Sequence, residues 1–309
     1  MIRKWSLLVC VFALISAILY AAPENRIKIG YVIPGLENEY WVAVKDAAEA
    51  EAKKMNVDLT LVGAQDVVVQ LSAIDDMIQK GVQALVVSGS DQKGIVPGVL
   101  KLNAAKIPVI ASDSIPVAGD FIAKINTDPS AGGVDVGKYL LNRLGKGHKL
   151  FNMSYGIYNE GIILRQDPAK NMLKDNGWTI IDQPCVPYGR DQAKTLTETI
   201  LMANPDLSAV YALNDDTALG ILAAAKELGR QDVVIMGYDA MPDVVKEVQN
   251  GTIAGTVYQD NRACTRMAID MAIQYINSPW KGTKVIMLPP ILVTKDNVEE
   301  FSAKYMQPK

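Results

Sequence analysis

The stretch Ala209–Asp239, AVYALNDDTALGILAAAKELGRQDVVIMGYD, decides the fold class of this chain. An apolar run over Ala209–Leu213 predicts a buried strand, and Val233–Gly237 predicts a second one. Between them, Thr217–Leu228 carries apolar residues at helical spacing and is followed by Gly229, a common helix stop. A strand, a helix and a strand in this order form a βαβ unit, whose two strands are parallel neighbours.

Polar residues follow both strands of this unit. Asn214 follows the first strand and Asp239 follows the second. Because the carboxyl ends of neighbouring parallel strands meet at the edge where open α/β sheets bind ligands, we expect these side chains to lie close together there. Helix caps and turns are the commoner use of Asn and Asp, so a purely structural role for both residues stays open at this point.

The same alternation of strands and helices recurs on both sides of the βαβ unit. A first series of strands ends near the polar residues Asn38, Ser88 and Asp113, and a second series begins near Asp128. Repeated βα units predict parallel sheets with helices on both faces. The chain is therefore predicted to be an α/β protein with two halves, which its 309 residues are sufficient to build.

Composition and charge exclude several classes of protein. The hydrophobic fraction of 49% and charged fraction of 21% are ordinary for a soluble globular protein. A net charge of -3, without a run of Lys or Arg, gives no case for a nucleic-acid partner. The single histidine, His148, cannot build a His-rich metal site, and Cys185 and Cys264 lack metal-type spacing. Neither a metal nor a cofactor is therefore expected.

Motifs of common catalytic sites are absent from the sequence. It contains no G-x-S-x-G elbow, no P-loop lysine motif and no H-E-x-x-H. The acidic pair Asp215-Asp216 joins neighbours in sequence, which need not converge as a general acid and base. No catalytic residue is assigned, and the protein is expected not to be an enzyme.

The N-terminus carries the features of an export signal. Arg3 and Lys4 precede the almost purely apolar run Trp5–Ala22, so residues 1–22 are predicted to be a signal peptide with cleavage after Ala21. The run is also long enough to be an uncleaved membrane anchor. The predicted location is therefore periplasmic or otherwise extracytoplasmic, with anchoring as the open alternative.

Seven stretches resemble, in the same order, the periplasmic sugar-binding proteins of ABC importers, of the ribose-binding type. They span nearly the whole chain after the export signal. Each stretch is weak alone, and the ordered set carries the resemblance. The stretches are Asn38–Trp41, Ile107–Asp113, Arg165 in its helix, Tyr188–Arg190, Ala212–Gly220, Met236–Asp243 and Ala254–Gln259.

The resemblance implies the periplasmic binding protein type I fold. In that fold, two doubly wound parallel-sheet lobes are joined by a three-crossover hinge, with the ligand between them. By resemblance, the N-terminal lobe comprises residues 26–127 plus 260–288, and the C-terminal lobe comprises residues 128–259 plus 289–309. The lac-repressor type of regulator shares this core, but here an export signal stands in place of its DNA-binding helices.

The resemblance also implies a ligand site. Tyr40, Trp41 and Tyr188 match aromatics that pack against the faces of a sugar ring, whose C–H groups are apolar. Arg165 matches an arginine that donates to hydroxyl or ring oxygens. The remaining candidates would bind hydroxyl groups at the ring edge and are Asn38, Ser88, Asp113, Ser114, Asn214, Asp239 and Gln259. Ordinary packing is the alternative role for the aromatics.

One position departs from the family pattern. Ribose binders usually carry an arginine after the residue that matches Asp113, whereas this chain has Ser114. A serine offers one hydroxyl where arginine offers a planar fork of donors, which argues against ribose as the ligand. Pro168 stands where the family often has glycine, so the sequence does not fix the backbone conformation near Arg165.

The function expected from the resemblance is capture of a monosaccharide or polyol and its delivery to an ABC permease, by a monomer. Two alternatives stay open. One is a receptor that feeds a membrane sensor or chemoreceptor, and the other is an enzyme on the same fold, since a fold does not fix a function.

Overall fold

The computed structural model describes residues 26–156 and 158–306. The predicted signal peptide, residues 1–22, and the last three residues of the predicted C-terminal lobe lie outside this range. Two six-stranded sheets with helices on both faces make up the described chain. Among these residues, no helix is both long and apolar enough to cross a membrane.

The first sheet is entirely parallel, in the order β2-β1-β3-β4-β5-β11. The central strands β1, β3 and β4 are apolar and buried between two helical layers, whereas the edge strands β2 and β11 are more exposed. The strands are β1 Lys28–Ile33, β2 Asp58–Gly63, β3 Ala84–Val87, β4 Val109–Ser112, β5 Ala123–Thr127 and β11 Lys284–Leu288.

The second sheet has the order β7-β6-β8-β9-β10-β12 and repeats this plan, except that its last strand runs antiparallel to its neighbour. Its strands are β6 Lys149–Tyr155, β7 Thr179–Cys185, β8 Ala209–Tyr211, β9 Val234–Tyr238, β10 Gly255–Tyr258 and β12 Ile291–Thr294.

Each sheet is covered by its own helices, and the two resulting units are called the first and second lobes below. In the first lobe, α1 and α9 pack on one face and α2 and α3 on the other. In the second lobe, α4 and α5 face α6, α7, α8 and α10 across the sheet. The helices are α1 Glu39–Lys54, α2 Val67–Gln79, α3 Val96–Ala104, α4 Pro129–Leu144, α5 Glu160–Asp175, α6 Arg190–Ala203, α7 Asp215–Glu227, α8 Pro242–Asn250, α9 Asn261–Asn277 and α10 Val298–Tyr305.

The chain passes between the two lobes three times. It leaves the first sheet after β5 and enters α4, and it returns from β10 into α9. The third passage joins β11 to β12 through Pro289 and Pro290. The predicted architecture of two α/β lobes with three crossovers is therefore present.

The βαβ unit that set the fold class is confirmed. Strands β8 and β9 are parallel neighbours, with Tyr211 opposite Met236. The helix begins at Asp215, two residues before the predicted start, because Asn214 caps it. Pro168 lies inside α5 without ending it. Strand β11 and helices α8 and α10 were not predicted.

Candidate functional site

A cavity of about 670 Å³ lies between the lobes, at the carboxyl ends of the strands of both sheets. Parallel strands of the two lobes thus direct their polar end residues toward one space, as expected for open α/β sheets. Ten of the eleven residues predicted to bind a ligand line this cavity. They are Asn38, Tyr40, Trp41, Asp113, Ser114, Arg165, Tyr188, Asn214, Asp239 and Gln259.

Ser88 is the predicted residue that the structure does not bring to the cavity. Its side chain is fully buried, and its hydroxyl donates to the carbonyl oxygen of Ser112 in the neighbouring strand. The following residues, Gly89 and Ser90, line the cavity instead. Ser114 lines it too, but its hydroxyl donates to the carbonyl oxygen of Gly89 at 2.6 Å, so its proton is already engaged.

The first turn of α1 supplies the aromatic wall of the cavity. Asn38 caps this helix because its Oδ1 accepts from the backbone N–H of Tyr40 at 2.8 Å. The cap places Tyr40 and Trp41 side by side, with ring centroids 5.0 Å apart and planes nearly perpendicular. Tyr40 is buried and Trp41 is partly exposed. An apolar ring face at this position can pack against the C–H face of a small ligand.

Asp113 places a partly buried carboxylate of the first lobe at the cavity. Its φ of 61° is left-handed, a conformation that short polar residues tolerate. Asn126 fixes the turn by donating to the carbonyl oxygen of Asp113 at 3.0 Å, and the Tyr40 hydroxyl donates to its carboxylate. Burial raises the pKa of Asp113, while the Tyr40 hydrogen bond and the nearby Arg165 lower it in part.

Arg165 brings the positive charge of the second lobe to the same space. Its guanidinium lies 3.9 Å above the ring centroid of Tyr238, and Nη1 donates to the carbonyl oxygen of Leu213 at 3.3 Å. Its Nε is buried and has no hydrogen-bond partner among the residues the structure describes. Gly133 allows α4 to approach closely here, since a Cβ at this position would lie 2.2 Å from the carbonyl oxygen of Arg165.

Asn214 serves both as a cap and as a cavity residue. Its Oδ1 accepts from the backbone N–H of Thr217 at 3.1 Å, completing a capping box for α7. Its Nδ2 donates to the hydroxyl oxygen of Tyr188 at 2.6 Å. The structural role that the sequence left open is therefore real, and the same side chain also lies at the cavity wall.

Asp239 follows β9 and is the carboxylate of the second lobe. Its Oδ1 accepts from Nε2 of Gln259 at 2.8 Å, and both residues are buried. Burial raises the pKa of Asp239 to about 7, partly offset by Arg165 and by the Gln259 hydrogen bond, while the charge of Asp113 raises it further. Because burial disfavours the ionised form of Asp239, a hydroxyl donor that entered the cavity would stabilise that form.

Two hydrogen bonds and one cation–π contact join the lobes around the cavity, and Met241 of the second lobe packs against the core of the first. Nδ2 of Asn38 donates to the hydroxyl oxygen of Tyr188 at 3.3 Å. Farther out, the backbone N–H of Glu160 donates to Oε1 of the buried Gln92 at 2.8 Å. Beside it, Nζ of Lys93 lies 4.2 Å from the ring centroid of Tyr158. The structure therefore shows the lobes in contact across the cleft.

Several cavity residues were missed by sequence reasoning. Asn126 could have been found because it is a polar residue near the carboxyl end of β5, like the candidates at other strand ends. Tyr155 ends β6, and the others lie in loops or at helix starts, where polar residues are common and carry no distinct signal. The missed polar and aromatic lining residues are Glu37, Gln65, Ser90, Asn126, Tyr155, Asn159 and Asp216.

Together these groups can both donate and accept hydrogen bonds at one cavity. Two carboxylates accept, one guanidinium donates, and the amides of Asn and Gln can do both. Within residues 26–156 and 158–306, no three His, Cys, Asp or Glu side chains are arranged to hold a metal ion.

Comparison with known proteins places this arrangement in context. The family described as periplasmic binding protein domain matches residues 29–279. The ribose import binding protein of Salmonella typhimurium is 29% identical over 290 residues, which cover 94% of this chain and 96% of that protein.

Two solved structures of ABC transporter solute-binding proteins have the same fold. One, from Actinobacillus succinogenes with bound D-allose, has a TM-score of 0.82 at 25% identity and covers 89% of this chain and 100% of its own. The other, from Bacillus halodurans with bound myo-inositol, has a TM-score of 0.83 at 25% identity and covers 92% and 100%.

Proposed function

This chain belongs to the periplasmic binding protein domain family, and from that premise we propose that it captures a neutral monosaccharide or polyol between its lobes. It then delivers the ligand to an ABC permease in the membrane and performs no catalysis itself. The family resemblance read from the sequence is confirmed, and so is the type I fold. The known relatives in the comparison are binding proteins rather than enzymes.

The observation that carries the proposal is the set of groups left for a ligand in the cavity. The buried Nε of Arg165 has no acceptor among the described residues, and Asp239 has only Gln259 as a donor to its carboxylate there. Buried polar groups are normally hydrogen-bonded, so these positions favour a ligand that supplies both acceptors and donors. The rings of Tyr40 and Trp41 lie at the same cavity.

The charge balance of the cavity favours a neutral ligand. Asp239, which is buried, and Asp113, which is partly buried, are two carboxylates for the single guanidinium of Arg165. The lining also includes the carboxylates of Glu37 and Asp216, the latter paired with Arg190. A phosphate or carboxylate on the ligand would face uncompensated negative charge in a buried site, which costs free energy. Sugars and polyols fit, whereas their acidic derivatives do not.

A thermal-shift panel tests the proposal. We expect at least one of D-ribose, D-allose and myo-inositol to raise the melting temperature in a concentration-dependent way, because a ligand bound only by the native state stabilises it. D-ribose 5-phosphate and D-gluconate serve as charged controls and should give no shift. Absence of any shift across a wider set of neutral sugars and polyols, or a shift with the charged controls alone, would contradict the proposed ligand class.

Hinge closure is expected on ligand binding. Asp113 and Trp41 belong to the first lobe, and Arg165 and Asn214 belong to the second, so a ligand can satisfy all four only when the lobes are closed. Ligand should therefore shift the population toward the closed state. Small-angle X-ray scattering should give a smaller radius of gyration with the bound panel ligand than without it.

The hydrogen bond between Glu160 and Gln92 joins the two lobes, so a substitution of Gln92 also tests closure. Gln92→Ala removes a hydrogen bond that exists only when the lobes touch, so the closed state should lose about 1 kcal/mol. Ligand affinity should then fall about fivefold while the ligand-free radius of gyration stays equal or increases. Equal radii in the free and bound wild-type protein, with the free form shown to be open, would contradict closure.

Export is the remaining part of the proposal and rests on Arg3, Lys4 and the apolar run Trp5–Ala22. Expression in a bacterial host followed by fractionation should recover the protein outside the cytoplasm. N-terminal sequencing should show a chain that begins near Ala22. Recovery of cytoplasmic protein with residues 1–22 intact would refute export, and an intact chain in the membrane fraction would indicate an anchor.

A further inference from the structure

Asp215 is a buried carboxylate that the proposed function does not use. It is the first residue of α7, directly after the cavity residue Asn214, yet its side chain is 1% exposed and does not line the cavity. Its neighbour Asp216 is different, since it is partly exposed, lines the cavity and is paired with Arg190 at 2.9 Å. A buried carboxylate needs hydrogen-bond partners, and those of Asp215 identify its role.

The partners of Asp215 all lead to the turn that carries Asp239. Its Oδ2 accepts from the backbone N–H of Met241 at 2.7 Å, and its Oδ1 accepts from the Thr256 hydroxyl at 2.7 Å. The Thr256 oxygen in turn accepts from the backbone N–H of Ala240 at 3.2 Å. One carboxylate and one hydroxyl thus hold the two backbone N–H groups that follow Asp239.

This turn needs such support because its backbone is strained. Asp239 has φ of 115° and Ala240 has φ of 51°, so two consecutive non-glycine residues lie in the left-handed region. Residues with side chains persist there only when their surroundings hold them. The strand before the turn also makes room for the carboxylate, since a Cβ at Gly237 would lie 2.3 Å from Oδ1 of Asp215.

We propose that Asp215, together with Thr256, is a positioning residue that sets the turn of Asp239 and so aims its carboxylate into the cavity. The proposal rests on the proposed function, in which Asp239 accepts from the ligand. Asp215 therefore acts on the ligand through Asp239 and not through the first lobe.

Affinity measurements on variants of Thr256 test whether this residue positions Asp239. With the panel ligand that binds wild type most tightly, Thr256→Val should weaken Kd roughly fivefold to tenfold, because it removes the bridging hydroxyl at nearly constant shape. Thr256→Ser keeps the hydroxyl and should stay within about twofold of wild type. Asp182→Asn removes a carboxylate of the same lobe that pairs with Lys170 away from the cavity, and should leave Kd unchanged.

Double-mutant cycles separate positioning from general destabilisation. Asp215→Ala combined with Asp239→Asn should bind no more weakly than Asp239→Asn alone, because the carboxylate that is positioned is already absent. Asp215→Ala combined with Asp113→Asn should show the product of the two single effects. Independent effects of Asp215→Ala and Asp239→Asn, or an unchanged Kd in Thr256→Val, would overturn the proposal.

A measurement on the ligand-free protein keeps the two proposals distinguishable. Amide hydrogen exchange at Ala240 and Met241 should be at least tenfold faster in Thr256→Val than in Thr256→Ser, while amides in the first lobe stay unchanged. Unchanged exchange would refute the positioning role whether or not any sugar binds. Faster exchange with no ligand binding by wild type would instead leave the positioning of the turn in place and reject the proposed ligand class.

Discussion

Asp239→Asn is expected to abolish most ligand binding and at the same time to stabilise the ligand-free protein above neutral pH. An amide cannot accept two hydroxyl donors with a full negative charge, and each charge-assisted hydrogen bond contributes about 1.5–3 kcal/mol. Loss of about 3 kcal/mol or more corresponds to a Kd increased more than a hundredfold. Isothermal titration calorimetry with the panel ligand measures this change.

The stability gain follows from the raised pKa of Asp239. Because burial moves this pKa from its ordinary value of 3.8 to about 7, the folded state favours the protonated carboxyl. Asp239 therefore costs no stability below about pH 4 and lowers the free energy of unfolding progressively as the pH rises to 7, by roughly 4 kcal/mol at the upper end. Asparagine resembles the protonated acid at every pH.

Urea denaturation at pH 4.5 and pH 8 measures this effect. The variant and wild type should differ little at pH 4.5, and the variant should be clearly more stable at pH 8. Asp232→Asn is the matched control with the opposite sign, because Arg230 lowers the pKa of Asp232 and the exposed pair contributes stability at pH 8. A variant less stable than wild type at pH 8 would contradict the assignment of Asp239 as a carboxylate that is costly to ionise.

The same pKa predicts how wild-type affinity depends on pH. A ligand that donates to Asp239 binds its ionised form, so affinity should fall as the pH drops through about 7 and should be about tenfold weaker at pH 6 than at pH 8. Asp239→Asn should remove this dependence. The titratable groups that interact with Asp239 are Arg165, Asp113, Asp215 and the tyrosines Tyr40, Tyr188, Tyr211 and Tyr238.

Arg165→Met is expected to have the second largest effect on binding. Methionine retains much of the apolar packing against Tyr238 but removes the donors and the only guanidinium that lines the cavity among the described residues. Asp113 and Asp239 are then left in a buried site without a compensating charge, which destabilises the folded protein. The ligand also loses the charge-assisted hydrogen bonds that the guanidinium would donate, each contributing about 1.5–3 kcal/mol. We expect Kd to increase more than a hundredfold and the pH below which affinity falls to move upward.

Calorimetry at pH 7 and pH 9 tests this prediction. Arg143→Met is the matched control, since Arg143 lies on α4 of the same lobe and donates to the Tyr139 hydroxyl without lining the cavity. It should leave both Kd and its pH dependence unchanged. If Arg165→Met bound the panel ligand as tightly as wild type, Arg165 would have no place in the site.

Local sequence signals were sufficient for the fold class and for the candidate residues at strand ends, whereas the aromatic residues, Arg165 and Gln259 came from the family resemblance. Alternating apolar runs and helical periodicity predicted β8, α7 and β9, because burial of one face imposes a period on each element. Once those strands were parallel neighbours, the positions of Asn214 and Asp239 at one sheet edge followed from the geometry of βαβ units. The binding roles of these residues stay predictions that the variants above test.

Strand β11 is an element that local sequence signals did not predict. It forms the open edge of the first sheet, and Val285 and Met287 are exposed there although Val285–Leu288 is a continuous apolar run. A short apolar run does not by itself distinguish a strand from other buried segments, and here the pairing with β5, more than 150 residues earlier, makes it a strand. An edge strand of this kind is specified by its partner and not by its own periodicity.

The sequence by itself determined two α/β halves, the polar residues at their strand ends and the family to which the chain belongs. Only the tertiary structure decided which of those residues reach the cavity: the Ser88 hydroxyl donates to the carbonyl oxygen of Ser112, and Arg165 lines the cavity with a buried Nε that has no hydrogen-bond partner among the described residues. It also decided that Asp215 is buried and holds the turn of Asp239 through Thr256, 41 residues away along the chain. The reason is physical, because burial, pKa and hydrogen-bond partners depend on groups distant in sequence, whereas periodicity and capping depend on neighbours.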